Sequence, residues 1–148
     1  MILSRRSGPV EILLVEDNQG DARLVKEALR EGQVASHLSV VPDGVEAMAF
    51  LRRQGAHAAA PRPDLILLDL NLPRKDGREV LAEVKSDLGL KRIPVVVLTT
   101  SEAEQDILTT YELHANWYII KPIGLDQFIT VVKSILDFWL TVVALPPE

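Results

Sequence analysis

The sequence predicts an α/β fold, a doubly wound five-stranded parallel sheet with helices on both faces. Two observations lead there. Short hydrophobic runs bounded by turn residues alternate five times with amphipathic stretches, the pattern of repeated strand and helix units. Several of those runs are unbroken Val/Ile/Leu segments, as in LILL and VVVL, which suits strands covered on both faces.

In chain order, EILLV marks a first strand over Glu11–Val15, followed by a helix over Asp21–Arg30. A second strand falls at Leu38–Val41, and Asp43 offers an oxygen to cap the helix Gly44–Arg53. The connector Gln54–Pro63, QGAHAAAPRP, is long and rich in Ala and Pro, as expected of a mobile surface loop. The third strand is Leu65–Leu68, with Asp76 placed to cap a helix over Arg78–Asp87. The fourth is Val95–Leu98, with Ser101 ahead of a helix over Glu102–Glu112; the fifth, Trp117–Ile120, precedes a helix over Leu125–Val143.

That last helix is apolar over much of its circumference. Phe128, Val132, Ile135, Trp139 and Val142 form a stripe spaced by threes and fours that should bury against the sheet. Ile129, Leu136, Leu140 and Val143 form a second apolar face, which an outermost helix cannot bury internally, so a homodimer through the last helix and its neighbours is expected. The alternative is a tail packing back on its own domain.

The chain has 148 residues, 47% hydrophobic and 25% charged, enough for one globular core. One domain is expected over 10–144, with 1–9 and 145–148 as poorly ordered tails and no output domain. No cysteine is present and the histidines His37, His57 and His114 are scattered, which excludes thiolate sites and disfavours imidazole metal sites. The net charge is −5 with no basic run, so nucleic acid is not expected as a partner. No apolar run is long enough for a bilayer span and the start carries no cleavage pattern, so a cytoplasmic protein without membrane contact is expected.

The chemistry gathers at the carboxyl ends of the strands, where ligands of doubly wound sheets bind. Strand one ends in Glu16 and Asp17, strand three in Asp69, strand four in Thr99, and strand five runs into Lys121. Singly, each has a plain structural account: a turn or cap acid, a β-branched strand residue, a surface lysine. Together they place three carboxylates, a hydroxyl and an ammonium on one rim. Carboxylates so close repel unless a hard cation, most often Mg²⁺, is shared among them, and a cation lets an anionic phosphoryl group approach. Asp69 is then the nucleophile that forms an acyl phosphate, with Lys121 and the Thr99 hydroxyl as charge stabilisers.

Over roughly Val10 to Ala144 the chain resembles the receiver domains of bacterial two-component response regulators, through ILLVEDN, LILLDLNLPRKDG, PVVVLTTS and YIIKP. The resemblance implies a flavodoxin-like strand order 2-1-3-4-5, Asp69 as phosphoacceptor, and Mg²⁺ bound by Asp17, Asp69 and the backbone carbonyl of Asn71, with Glu16 acting on it largely through water. It implies Lys121 as phosphoryl partner and Thr99 with Tyr118 as the switch, Tyr118 changing rotamer. It also implies a cis peptide ahead of Pro122 and a histidine kinase as phosphodonor. The wording LNLPRKDGREVLAEVKSD and the long connector before strand three are similar to the small response regulators that partner cyanobacterial phytochromes, which implies a phytochrome kinase. Trp117, just ahead of Tyr118, departs from the common pattern.

Three rival functions share parts of this pattern. A phosphatase forming an aspartyl phosphate usually has a second aspartate two residues after its nucleophile, where this chain has Asn71, which cannot exchange a proton. No turnover of external substrates is therefore expected beyond self-phosphorylation and self-dephosphorylation at Asp69. A flavin carrier needs amide donors for phosphate after strand one, where Glu16 and Asp17 would repel it. An interaction module independent of phosphorylation remains as the third reading.

Overall fold

The computed structural model describes residues 9–32, 35–121 and 124–141. The elements run β1 (Val10–Val15), α1 (Gln19–Glu31), β2 (Ser36–Val41), α2 (Gly44–Leu51), β3 (Leu65–Leu68), α3 (Gly77–Ser86), β4 (Val95–Thr99), α4 (Glu104–Glu112), β5 (Trp117–Ile120) and α5 (Leu125–Thr141). All strand pairs are parallel, in the order β2-β1-β3-β4-β5. The expected doubly wound sheet and its strand order are both observed.

The two-residue alternation of the strands divides the core. Leu13, Val15, Ile66, Leu68, Val95 and Val97 face α2 and α3, meeting Ala47, Phe50, Val80, Leu81 and Val84. Ile12, Leu14, Leu65, Leu67, Val96 and Leu98 point the other way, onto Val25 and Ala28 of α1 and Phe128, Val132 and Ile135 of α5. Every residue of β3 and β4 is buried, which is why these strands carry no polar alternation.

Departures from the expected boundaries have local causes. Helix α2 ends at Leu51 rather than Arg53, because Arg53 adopts a left-handed backbone at φ 55°. Helix α4 begins at Glu104 behind Ala103, not behind Ser101, whose hydroxyl donates to the Asp106 carboxylate at 2.6 Å. The Gln54–Pro63 connector is tied down instead of running free: Gly55–His57 forms a 3₁₀ turn, and His57 Nε2 lies 2.8 Å from Glu46 Oε1.

For Ile129 and Leu136, the second apolar face expected on α5 is corrected. Leu136 is 2% exposed and lies with Leu67, Val96 and Leu98 of the sheet, and Ile129 packs partly buried against the same cluster; α1 lies alongside α5. Phe138 is exposed and stacks on Trp117 at a centroid distance of 5.1 Å. Val142, Val143, Pro122 with the peptide before it, the side chains of Trp139 and Leu140, and most of both tails lie outside the described residues.

Candidate functional site

The sheet order reverses between β1 and β3, so the ends of these neighbouring strands open a crevice where α1 and α3 depart to opposite faces. Register brings the acids together there. Val15 pairs with Leu68, and the Asp69 amide donates to the Val15 carbonyl at 3.1 Å, which sets Asp69 beside Glu16 and Asp17. Carboxylate oxygens of Glu16, Asp17 and Asp69 all lie within 4.8 Å of one another. On the other flank Thr99 pairs with Ile120, and the Lys121 amide donates to the Thr99 carbonyl at 2.8 Å.

The ammonium of Lys121 donates to Glu16 Oε1 at 2.5 Å, Asp21 Oδ2 at 2.9 Å and Asp69 Oδ2 at 3.2 Å. Its side chain is 4% exposed and that of Glu16 is 2%, so the pair is desolvated and each partner needs the other. Burial pushes the Glu16 carboxyl up to about 7 against the hydrogen bond and charge of Lys121, and the nearby Asp69 charge adds to the rise. For Lys121, burial alone favours the neutral amine. Hydrogen bonds to Glu16 and Asp21, with the charges of Glu16 and Asp69, reverse that and raise its pKa.

Close packing of α3 sets the backbone at Asp69. The Gly77 amide donates to the Leu70 carbonyl at 2.9 Å, and a Cβ at Gly77 would sit 2.2 Å from the Asp69 carbonyl oxygen. Asn71, at the exposed mouth, donates its amide to Asp69 Oδ1 at 3.2 Å. The loop that follows is strained at Arg74, φ 67°, and is held by Arg74 Nη1 on the buried Asp43 at 3.1 Å.

Thr99 is fully buried at the end of β4, with its Oγ1 3.5 Å from the Ser101 amide. Ser101 in turn accepts from the Tyr118 hydroxyl at its carbonyl, 2.9 Å away. Thr99 and Tyr118 are thus joined through one residue. Burial raises the Tyr118 pKa.

The structure therefore brings Glu16, Asp17, Asp69, Asn71, Thr99 and Lys121 to one rim, with Tyr118 behind Thr99. Asp21 and Ser101 belong to the same network and were not anticipated as site residues. An acid in the first turn of a helix ordinarily complements the dipole, and nothing local reveals that Asp21 meets a lysine 100 positions later. Hard carboxylate oxygens within reach of one another fit Mg²⁺ or a similar cation. Among the described residues no other His, Asp or Glu group is so placed, and no helix is long and apolar enough to cross a membrane.

Comparison with known proteins bears on this geometry. The family model described as Response regulator receiver domain matches residues 12–133. The chain is 54% identical over 138 residues to Response regulator Rcp1 of Synechocystis sp., covering 93% of this chain and 94% of that protein. It is similar to the crystal structure of the phosphorylated cyanobacterial phytochrome response regulator RcpA, with TM-score 0.91 and 57% identity over 95% of this chain and all (100%) of that one. The Mn²⁺-bound form of Rcp1 superposes with TM-score 0.91 at 54% identity over 94% of this chain and 100% of the other.

Proposed function

Because the chain belongs to the response regulator receiver domain family, we propose that it accepts a phosphoryl group on Asp69 from a histidine kinase in a two-component relay. One observation carries the reading: a buried ammonium, Lys121, bridges Glu16 and Asp69 beside the Asp17 carboxylate. In the transfer, an Asp69 carboxylate oxygen attacks the phosphorus of a phosphohistidine. The acyl P–O bond forms as the P–N bond breaks, and the electron pair stays on the imidazole nitrogen.

Glu16, Asp17, Asp69 and the Asn71 carbonyl would hold Mg²⁺, which neutralises phosphoryl oxygens when bound. Lys121 moves its Asp69 hydrogen bond to a phosphoryl oxygen. Thr99 gives up the Ser101 amide and donates its hydroxyl to another, which releases Tyr118 through the Ser101 carbonyl and biases the β4–α4 loop. Similarity to RcpA, a cyanobacterial phytochrome response regulator, supports a phytochrome as the kinase. Exposed Leu108 and Tyr111 of α4, Ile120 of β5 and Phe138 of α5 support a homodimer through α5 and its neighbours, with a dimeric mass at micromolar concentration as its test.

The decisive experiment is incubation with acetyl phosphate, with and without Mg²⁺, read by intact mass beside Asp69→Asn. A single Mg²⁺-dependent adduct absent from the variant is expected. No adduct under any condition would leave a phosphate-independent interaction module.

A further inference from the structure

The start of α1 departs from the usual way such a helix is closed. Asn18 is its N-cap and accepts the Asp21 amide at 3.0 Å. An acid three residues after the cap commonly reaches back to the cap's own amide. Here that amide donates instead to Glu16 Oε2 at 3.2 Å. The Asp21 carboxylate is thereby left to turn inward, where it accepts from Lys121 at 2.9 Å.

A closed ring results: Glu16 holds the cap, the cap holds the Asp21 backbone, and Glu16 and Asp21 both hold Lys121. An ammonium has three donor hydrogens, and the third points to Asp69 Oδ2 at 3.2 Å. With two hydrogens anchored at separate places, just past the end of β1 and in the first turn of α1, the direction of the third is fixed. From this geometry we propose that Asp21 is a positioning residue for phosphoryl transfer, a second anchor that aims the Lys121 ammonium at the reacting oxygen of Asp69. The inference rests on Asp69 being the phosphoacceptor.

Asp21 suits an anchor better than a phosphoryl contact. Its side chain is 26% exposed, against 2% for Glu16, and it belongs to a helix end instead of a strand end. During transfer Lys121 moves its bond from Asp69 to a phosphoryl oxygen, whereas its bonds to Glu16 and Asp21 are retained. A lysine held by Glu16 alone can pivot about that one contact, and a misdirected charge loses most of its value to an in-line transfer.

The test compares the full chain with Asp21→Ala and Asp21→Asn, since asparagine keeps an acceptor oxygen and loses the charge. Acetyl phosphate is the donor, Mg²⁺ is titrated, and adduct formation is timed by intact mass. Asp21→Ala is expected to slow the rate at saturating Mg²⁺ about tenfold, with the half-saturating Mg²⁺ concentration within about twofold of wild type. Asp21→Asn is expected to recover most of the rate. Equal slowing in both variants with a shifted Mg²⁺ midpoint, or no slowing in either, overturns the positioning role. A second measurement needs no phosphorylation: the ¹⁵N signal of the Lys121 ammonium should be protected from solvent exchange in the wild type and in Asp21→Asn, and lost in Asp21→Ala. Retention in Asp21→Ala refutes the anchor directly, whereas a wild type that forms no adduct but shows this pattern refutes only the phosphoacceptor reading.

Discussion

Arg78, near the start of α3, and Asp106, in the first turn of α4, form an ion pair with Nη2 2.6 Å and Nε 3.2 Å from Asp106 Oδ1. Asp106 also accepts the Ser101 hydroxyl at 2.6 Å. The loop after β4 is therefore fastened to the helix that follows Asp69. Both side chains keep roughly a quarter of their surface in solvent, 28% and 21%, so screening limits the pair. Asp106→Ala should lower unfolding free energy by ~1 kcal/mol, measured by urea denaturation, and an unchanged midpoint would remove the fastening.

The same contact gives a pH dependence. Hydrogen bonds from Arg78 and then Ser101 hold the Asp106 carboxyl below the ordinary aspartate range, with burial opposing them only in part. A depressed carboxyl binds its proton less readily in the folded chain than in the unfolded one. Its contribution is complete above the unfolded value of about 3.9 and is lost as pH falls through the folded value. The stability gap between wild type and Asp106→Asn should thus stay constant from neutrality to about pH 5 and narrow on further acidification. Urea midpoints across that range check it; a gap that widens in acid contradicts the assignment.

Gly77 fixes the other side of Asp69. Its missing Cβ would lie 2.2 Å from the Asp69 carbonyl oxygen and 2.6 Å from the Leu70 Cα, both backbone atoms that no side-chain rotation can move aside. Gly77→Ala should cost ~2 kcal/mol through overpacking and displace the Asp69 backbone, slowing adduct formation with acetyl phosphate. A stable variant phosphorylated at the wild-type rate would show that α3 can retreat without cost.

The residues legible in the sequence were those whose place at the rim follows from position along one strand. Glu16, Asp17, Asp69, Thr99 and Lys121 each stand at a strand's carboxyl end, and hydrophobic periodicity locates those ends. Asp21, Ser101 and the Arg78–Asp106 pair depend on helix azimuth and loop path, which no short-range pattern encodes. Leu136 escapes sequence reading for the same reason: it lies off the main stripe of α5, yet it is buried in the cluster formed with Leu67, Val96 and Leu98 of the sheet.

Tyr118 tests the loop path directly. Its hydroxyl donates to the Ser101 carbonyl at 2.9 Å, and its amide donates to the Tyr111 hydroxyl at 3.2 Å. Tyr118→Phe removes the first bond and keeps the second. The expected loss is at most about 1 kcal/mol globally, with faster amide hydrogen exchange confined to the β4–α4 loop. Exchange unchanged in that loop would mean that Ser101 is held by Thr99 and Asp106 alone.

Asp17 separates cation binding from folding. It is exposed, unlike Glu16 and Asp69, yet its oxygens share their cluster. Without a cation, Lys121 offers one positive charge to Glu16, Asp21 and Asp69, so negative charge remains in excess and Asp17 adds to it. Asp17→Asn should therefore leave the metal-free thermal midpoint equal to or above that of wild type. Added Mg²⁺ acts oppositely. A cation held only by the folded form at tenfold its dissociation constant stabilises by ~1.4 kcal/mol, about 4.5 °C for a domain of this size. Wild type should show that rise and Asp17→Asn should lose most of it. Equal shifts in both proteins would place the cation elsewhere, and a lower metal-free midpoint in the variant would mean that Asp17 supports the fold rather than the ion.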